Sequence, residues 1–153
     1  MKKYFLLLSL LIIGVSSCKK ESSFNAAAQA VTDNAAIKAY IAANNITATE
    51  DPSGLYYSVL IPGTGAYPTA SSTVNVNYTG TLLDGTVFQT LSNLNDPLSG
   101  LIKGWQIGLP HINTGGRILL MIPSGLGYGN NGQSGIPANS VLIFTIDLLS
   151  FTN

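Results

Sequence analysis

The chain has 153 residues, equal numbers of basic and acidic side chains, and only 9% charged residues, against roughly 25% in an average globular domain. With no basic excess, and with Lys and Arg scattered beyond Lys20, it has no patch to hold a phosphate backbone, which excludes nucleic acid as a partner. A single Cys, Cys18, and a single His, His111, exclude a Cys/His metal cage and a His-based nucleophilic triad.

Taken in order, the chain opens with Lys2 and Lys3, an apolar run from Phe5 to Val15, and the small residues Ser16-Ser17 before Cys18. This pattern predicts a signal peptide over 1–17; the apolar run is too short to span a bilayer comfortably. The placement of Cys18 resembles the lipobox of bacterial lipoproteins, in which the peptide is cut before the Cys and that Cys is acylated. An ordinary signal peptide with an incidental Cys is the alternative. Lipidation would hold the protein at a membrane of the cell envelope, periplasmic or surface-facing, because each buried methylene contributes about 0.8 kcal/mol.

Residues 18–31 are polar and small, and are expected to form a tether. Thr32 or Asp33 can cap a helix. Ala36, Ile37, Tyr40 and Ile41 then fall on one face at helical spacing, so a helical region is predicted over 32–47, with the helix ending at Asn44-Asn45. The domain proper is expected over 48–153. Leu55 to Ile61 is rich in strand formers. Val74, Val76 and Tyr78 alternate with Asn75, Asn77 and Thr79, the pattern of a strand with one packed and one wet face. Asp84-Gly85 marks a hairpin turn.

Leu101, Ile102, Trp105 and Leu109 recur at helical spacing around the only Trp of the chain. Gly104 and Gly108 are expected to let another backbone approach or to end the turn. Trp105 reads either as a core plug or as the floor of a ligand pocket. His111 is expected in a loop. Gly116 to Ile122 forms a further strand. In the last strand, Val141 to Leu149, the even-numbered side chains Leu142, Phe144, Ile146 and Leu148 face the core. Without βαβ spacing, these elements predict an α+β fold, an antiparallel sheet over one short helix.

Val-Asn-Val-Asn-Tyr-Thr-Gly-Thr-Leu-Leu-Asp-Gly-Thr-Val-Phe (74–88), Leu-Ile-Lys-Gly-Trp (101–105), Gly-Leu-Gly-Tyr-Gly (125–129) and Ile-Pro-Ala-Asn-Ser-Val-Leu-Ile-Phe (136–144) resemble, in order and spacing, the FKBP-type peptidyl-prolyl cis/trans isomerases. The resemblance covers roughly residues 55 to 150. It implies a bent antiparallel sheet of five to six strands wrapped over the short helix, with an apolar cleft between them. It implies pocket residues Tyr78, Phe88, Leu101, Ile102, Trp105, Tyr128, Ile136 and Phe144. Trp105 would be the floor under the proline ring, and Tyr78, Phe88 and Phe144 the aromatic walls. The Ile102 backbone N–H and the Tyr128 hydroxyl would donate to ligand carbonyls.

The residue types suit that chemistry. Rotation about an X–Pro amide faces a barrier of ~18–20 kcal/mol because resonance keeps it planar. No bond breaks, so neither nucleophile, paired carboxylates, cofactor nor metal is required. A twisted amide loses charge separation, and a dry apolar pocket with a few fixed donors favours it over the planar form.

The chain departs from the family pattern at Gln89, where Asp is common; in a short 90–100 loop, where the family's phenylalanine falls near Asp96; and at Gln133, in a flap position often aromatic or His. Gln89 is expected to hydrogen-bond Tyr78 while uncharged. The expected function is therefore isomerisation of proline-containing polypeptides by a monomer anchored through Cys18, weakened by Gln89 and with poor affinity for macrolide inhibitors. The rival readings are a proline-binding or chaperone-like module with little turnover, and a lipoprotein domain for another apolar ligand. For the anchor, Cys18→Ser is expected to abolish incorporation of labelled fatty acid and membrane fractionation while the domain still folds; label retained by the variant would overturn the lipobox reading.

Overall fold

The computed structural model describes residues 24–153. The expected signal peptide, Cys18 and the start of the expected tether lie outside the described residues.

The first element is a helix, Ala26–Ala43 (α1). It starts six residues before Thr32, where the sequence suggested a cap, because Ala26-Ala27-Ala28 has the strongest helix propensity available and Asn25 caps it. The Asn25 side chain accepts from the Ala28 N–H at 3.1 Å. Thr32 and Asp33 lie inside the helix and use their side chains elsewhere. Thr32 Oγ1 donates to the Ala28 carbonyl, and the Asp33 carboxylate is buried against Ser124. The helix ends at Ala43, at the expected Asn44-Asn45 stop, within the 32–47 region. Asn44 returns its N–H to the Tyr40 carbonyl, and Asn45 takes a left-handed φ of 52°.

Strands Thr49–Glu50 (β1), Tyr56–Ile61 (β2), Thr73–Leu82 (β3), Val87–Pro97 (β4), Arg117–Ile122 (β5) and Leu142–Thr152 (β6) form one antiparallel sheet in the order β1-β2-β5-β6-β3-β4. Alternation along β3 is as expected, with Val74, Val76 and Tyr78 buried. In β6 the even-numbered face is buried as well. Its odd-numbered face is also covered where the strand begins: Val141 and Ile143 pack with Tyr56, Met121 and Ile37 beneath α1. The sheet therefore has a main core on one face and a smaller core under α1 on the other.

Residues 90–97, expected in a loop, continue β4. Leu91 pairs with Tyr78 and Leu94 with Val76, so one extra residue is accommodated between these pairs. At this bulge Asn93 adopts φ 57° and donates its N–H to Asn77 Oδ1 at 2.8 Å. A bulge breaks the two-residue alternation that identifies a strand, which is why the sequence pattern reads as irregular here.

The central helix is Lys103–Gly108 (α2), a segment shorter than the predicted Leu101–Leu109 run. Gly104 and Gly108 face β5. A Cβ on Gly104 would lie 2.5 Å from Ile122 Cγ2, and one on Gly108 2.5 Å from Leu120 Cδ2. These glycines thus make room for side chains of the sheet, where the sequence had suggested a second backbone. His111 lies in a 3-10 turn after α2, half-buried and stacked on Tyr57 at 4.0 Å between ring centres.

Ile37 is the fully buried apolar contact by which α1 docks, beside the Asp33–Ser124 hydrogen bonds. Ile37→Ala is expected to lower stability by about 2–5 kcal/mol, measured as a reduced urea midpoint. A loss below about 0.5 kcal/mol, the usual range for surface sites, would mean that α1 docks without this contact.

Candidate active site

The site is built where α2 meets the buried face of β3 and β6. Trp105, 3% exposed, packs edge-on against Tyr78 (ring centres 4.9 Å apart, planes at 87°) and against Phe144 (5.2 Å, 86°). Edge-to-face pairs of this kind contribute about 0.5–1.5 kcal/mol beyond the area they bury. Trp105 is therefore both the plug and the floor: it is almost wholly packed, yet it lines a small pocket together with Tyr78, Gln89, Leu94, Leu101, Ile102, Tyr128 and Phe144. The pocket holds about 70 Å³, well below the ≈ 300–1,000 Å³ of drug-sized ligand sites. It suits one small ring better than a large ligand.

Seven of the residues expected at the site meet here: Tyr78, Gln89, Leu101, Ile102, Trp105, Tyr128 and Phe144. Phe88 stands one ring further back, edge-on to Phe144 at 5.5 Å, outside the lining. Ile136 is buried, and its backbone is bridged to Gln133 by mutual N–H to carbonyl bonds of 2.9 and 2.7 Å. Neither Ile136 nor Gln133 lines the pocket. Leu94 was missed. It enters the wall from β4 because of the bulge, which no spacing rule predicts, and it occupies the side of the pocket where the sequence had pointed to Asp96.

The donors around the pocket are unengaged. Among the described residues no hydrogen bond is made by the Tyr128 hydroxyl, and no acceptor takes the Ile102 N–H. Ile102 precedes α2 in an extended conformation. Gln106 fixes the turn that carries it, donating from Nε2 to the Leu101 carbonyl at 2.7 Å and to the Ser99 carbonyl at 3.2 Å, while its Oε1 accepts from Lys103 Nζ. Gln89 is exposed and, contrary to expectation, makes no hydrogen bond to Tyr78. An exposed amide is hydrated at little cost, so nothing drives it onto the tyrosine. The Trp105 indole N–H is buried without a partner, a state that costs about 1–3 kcal/mol and that the surrounding aromatic packing sustains.

The family model for FKBP-type peptidyl-prolyl cis-trans isomerases matches residues 65–149, more than half of the chain. The chain belongs to that family. It is 48% identical over 100 residues to the FKBP-type peptidyl-prolyl cis-trans isomerase FkpA of Escherichia coli K12, a match that covers 63% of this chain and 37% of that protein. It is 42% identical over 104 residues to outer membrane protein MIP of Legionella longbeachae, covering 65% of this chain and 45% of that one. The chain thus spans less than half the length of these curated relatives. The crystal structure of FkpA from Escherichia coli superposes with a TM-score of 0.72 at 39% identity, over 82% of this chain and 62% of that one. A peptidyl-prolyl cis-trans isomerase from Pseudomonas syringae pv. tomato superposes at 0.70 with 28% identity, over 86% and 99%.

Burial holds the hydroxyl of Tyr78 above the ordinary tyrosine range, and the neighbouring Tyr128 and Asp96 push it the same way. Burial also raises Tyr128, and burial, then a hydrogen bond with Glu50, raises Tyr56 beneath α1. Each hydroxyl therefore stays protonated, able to donate, at neutral pH. A pKa raised in the folded state contributes stability that is fully present below the unfolded value near 10 and is lost as pH rises through the folded value. Titration followed by ultraviolet absorbance is expected to show a late-ionising group of tyrosines, diminished in Tyr78→Phe and in Tyr128→Phe, with the urea midpoint falling above about pH 10. Ionisation of all tyrosines together at the ordinary value would contradict this.

Proposed function

We propose that the chain is a peptidyl-prolyl cis/trans isomerase that accelerates rotation about X–Pro bonds in exported polypeptides, anchored to the bacterial cell envelope through an acylated Cys18. The observation that carries the reading is the pocket itself: a Trp floor, Tyr78 and Phe144 as walls, and the free Ile102 N–H and Tyr128 hydroxyl at its edge. The prolyl ring sits on Trp105. The amide then twists in surroundings that offer its polar planar form little solvation, while the fixed donors take the adjoining carbonyls. No proton is moved and no bond is broken, which agrees with hydroxyls held protonated by burial. The membrane setting is supported by the name of the Legionella relative, outer membrane protein MIP, together with the lipobox-like Cys18.

A second reading, a low-turnover proline-binding or chaperone-like module, draws on Gln89 and Leu94. Tyr78 receives no hydrogen bond from Gln89, and Leu94 gives the pocket an aliphatic wall residue where an aromatic would grip the ring more tightly.

A protease-coupled isomerisation assay with a Leu-Pro peptide separates the two. Measurable turnover is expected, reduced by about a factor of ten in Tyr128→Phe, which corresponds to one hydrogen bond of about 1.4 kcal/mol. Gln89→Asp alone should change the rate little, because the one basic residue near the pocket in sequence, Lys103, is engaged with Gln106. Saturable binding of the peptide without turnover would favour the second reading.

A further inference from the structure

Asp33 is 2% exposed and lies on α1, outside the residues matched by the family model. Its Oδ2 accepts two hydrogen bonds from one residue, from the Ser124 N–H at 2.8 Å and the Ser124 hydroxyl at 2.7 Å. Its Oδ1 accepts from Gln29 Nε2 at 2.7 Å, one helical turn earlier. Neither of the ion pairs among the described residues involves it. A buried carboxylate with no cation is costly to keep, and hydrogen bonds to a charged acceptor are the strong kind. Ser124 is thus held more firmly than an ordinary loop residue.

What Ser124 begins gives this anchor its meaning. It opens the 3-10 turn Ser124–Leu126, wound by Leu126 N–H to the Pro123 carbonyl (2.9 Å) and Gly127 N–H to the Ser124 carbonyl (3.0 Å), and the next residue is Tyr128. Beyond Tyr128 the segment is fastened again where Asn139 donates to the Gly129 carbonyl at 2.8 Å. Glycines at 125, 127 and 129 surround the tyrosine, so local backbone preference contributes little to its placement. Its hydroxyl has no partner of its own. The position of the pocket hydroxyl is therefore set by these two fastenings together with the packing of the Tyr128 ring against the core, and one of the fastenings belongs to α1.

We propose that Asp33 is a positioning residue for the isomerase reaction: by clamping Ser124 it makes helix α1 part of the apparatus that places the Tyr128 hydroxyl at the pocket. This rests on the isomerase reading. A donor must sit within a fraction of an ångström of its target to act in the transition state. Slackening of Ser124 should accordingly lower kcat more than it raises KM.

The test is a double-mutant cycle on the full chain with the Leu-Pro peptide, at temperatures where circular dichroism shows every variant folded. Asp33→Ala is expected to lower kcat by roughly three- to ten-fold. Adding it to Tyr128→Phe should cost nothing more, since no hydroxyl remains to be placed. Asp33→Asn keeps one oxygen that can accept both Ser124 bonds and should retain most of kcat. If Asp33→Ala does not fold, Ser124→Ala, which removes only the hydroxyl donor, should give a smaller loss that likewise vanishes in the Tyr128→Phe background. An unchanged kcat in folded Asp33→Ala, or losses that multiply fully with Tyr128→Phe, would overturn the proposal. Absence of wild-type turnover would instead sink the isomerase reading, and the ring resonances of Tyr128 would then decide on positioning: displaced by Asp33→Ala while those of Tyr78 stay, they uphold it; unmoved, they refute it.

Discussion

The edge-on packing of Trp105 between Tyr78 and Phe144 is the constraint on which the rest of the molecule depends. The helix that carries Trp105 has six residues, far too few to persist by its own hydrogen bonds. It exists because its glycines let Ile122 and Leu120 press against its backbone and because the indole is clasped by two rings from the sheet. Packing this close fixes the helix axis, and with it the floor of the pocket. Core and cleft are consequently built from the same side chains: remove the floor and the fold loses its centre.

Around that fixed centre the polar groups are carried by irregular backbone. Ile102 sits at the entry to α2, held there by Gln106, while Tyr128 sits between a 3-10 turn and a left-handed glycine. Charges take little part. The ion pairs among the described residues, Lys38 with Glu50 and Arg117 with Asp147, lie on exposed surface, where such pairs contribute about 0–1 kcal/mol. The proposed reaction only twists a bond and can dispense with charged groups, and a chain with 9% charged residues accords with that.

The elements legible in the sequence were those governed by short-range rules. Alternation marked β3 and β6, Asp84-Gly85 marked the hairpin turn from β3 into β4, and the lone Trp marked the helix under the sheet. Leu94 and the start of α1 were not legible, for separate reasons. The bulge at Ser92 and Asn93 shifts the alternation by one residue and turns Leu94 inward, and Asn77, on the adjacent strand, supplies an acceptor for the Asn93 N–H there. Thr32 and Asp33 have the side chains of a helix cap, but an acceptor group that finds a better donor across the fold no longer marks a terminus, and Ser124 lies 91 residues away. Gln89 shows the converse: the resemblance to a family in which Asp is common at this position suggested a bond to Tyr78 that solvent exposure removes.

The bulge has a consequence beyond shaping the wall. β4 is the outer strand of the sheet, eleven residues long with Val87 and Leu91 exposed, and Asp96 is its only charged residue. A flat edge of that length and polarity would be a template on which a second molecule could lay its own strand, the first step toward aggregation. Charge repulsion is too sparse to prevent it. The kink at Asn93 and the missing N–H of Pro97 interrupt the row of free backbone groups instead, so the distortion that brings Leu94 to the pocket also makes this edge a poorer template for a further strand.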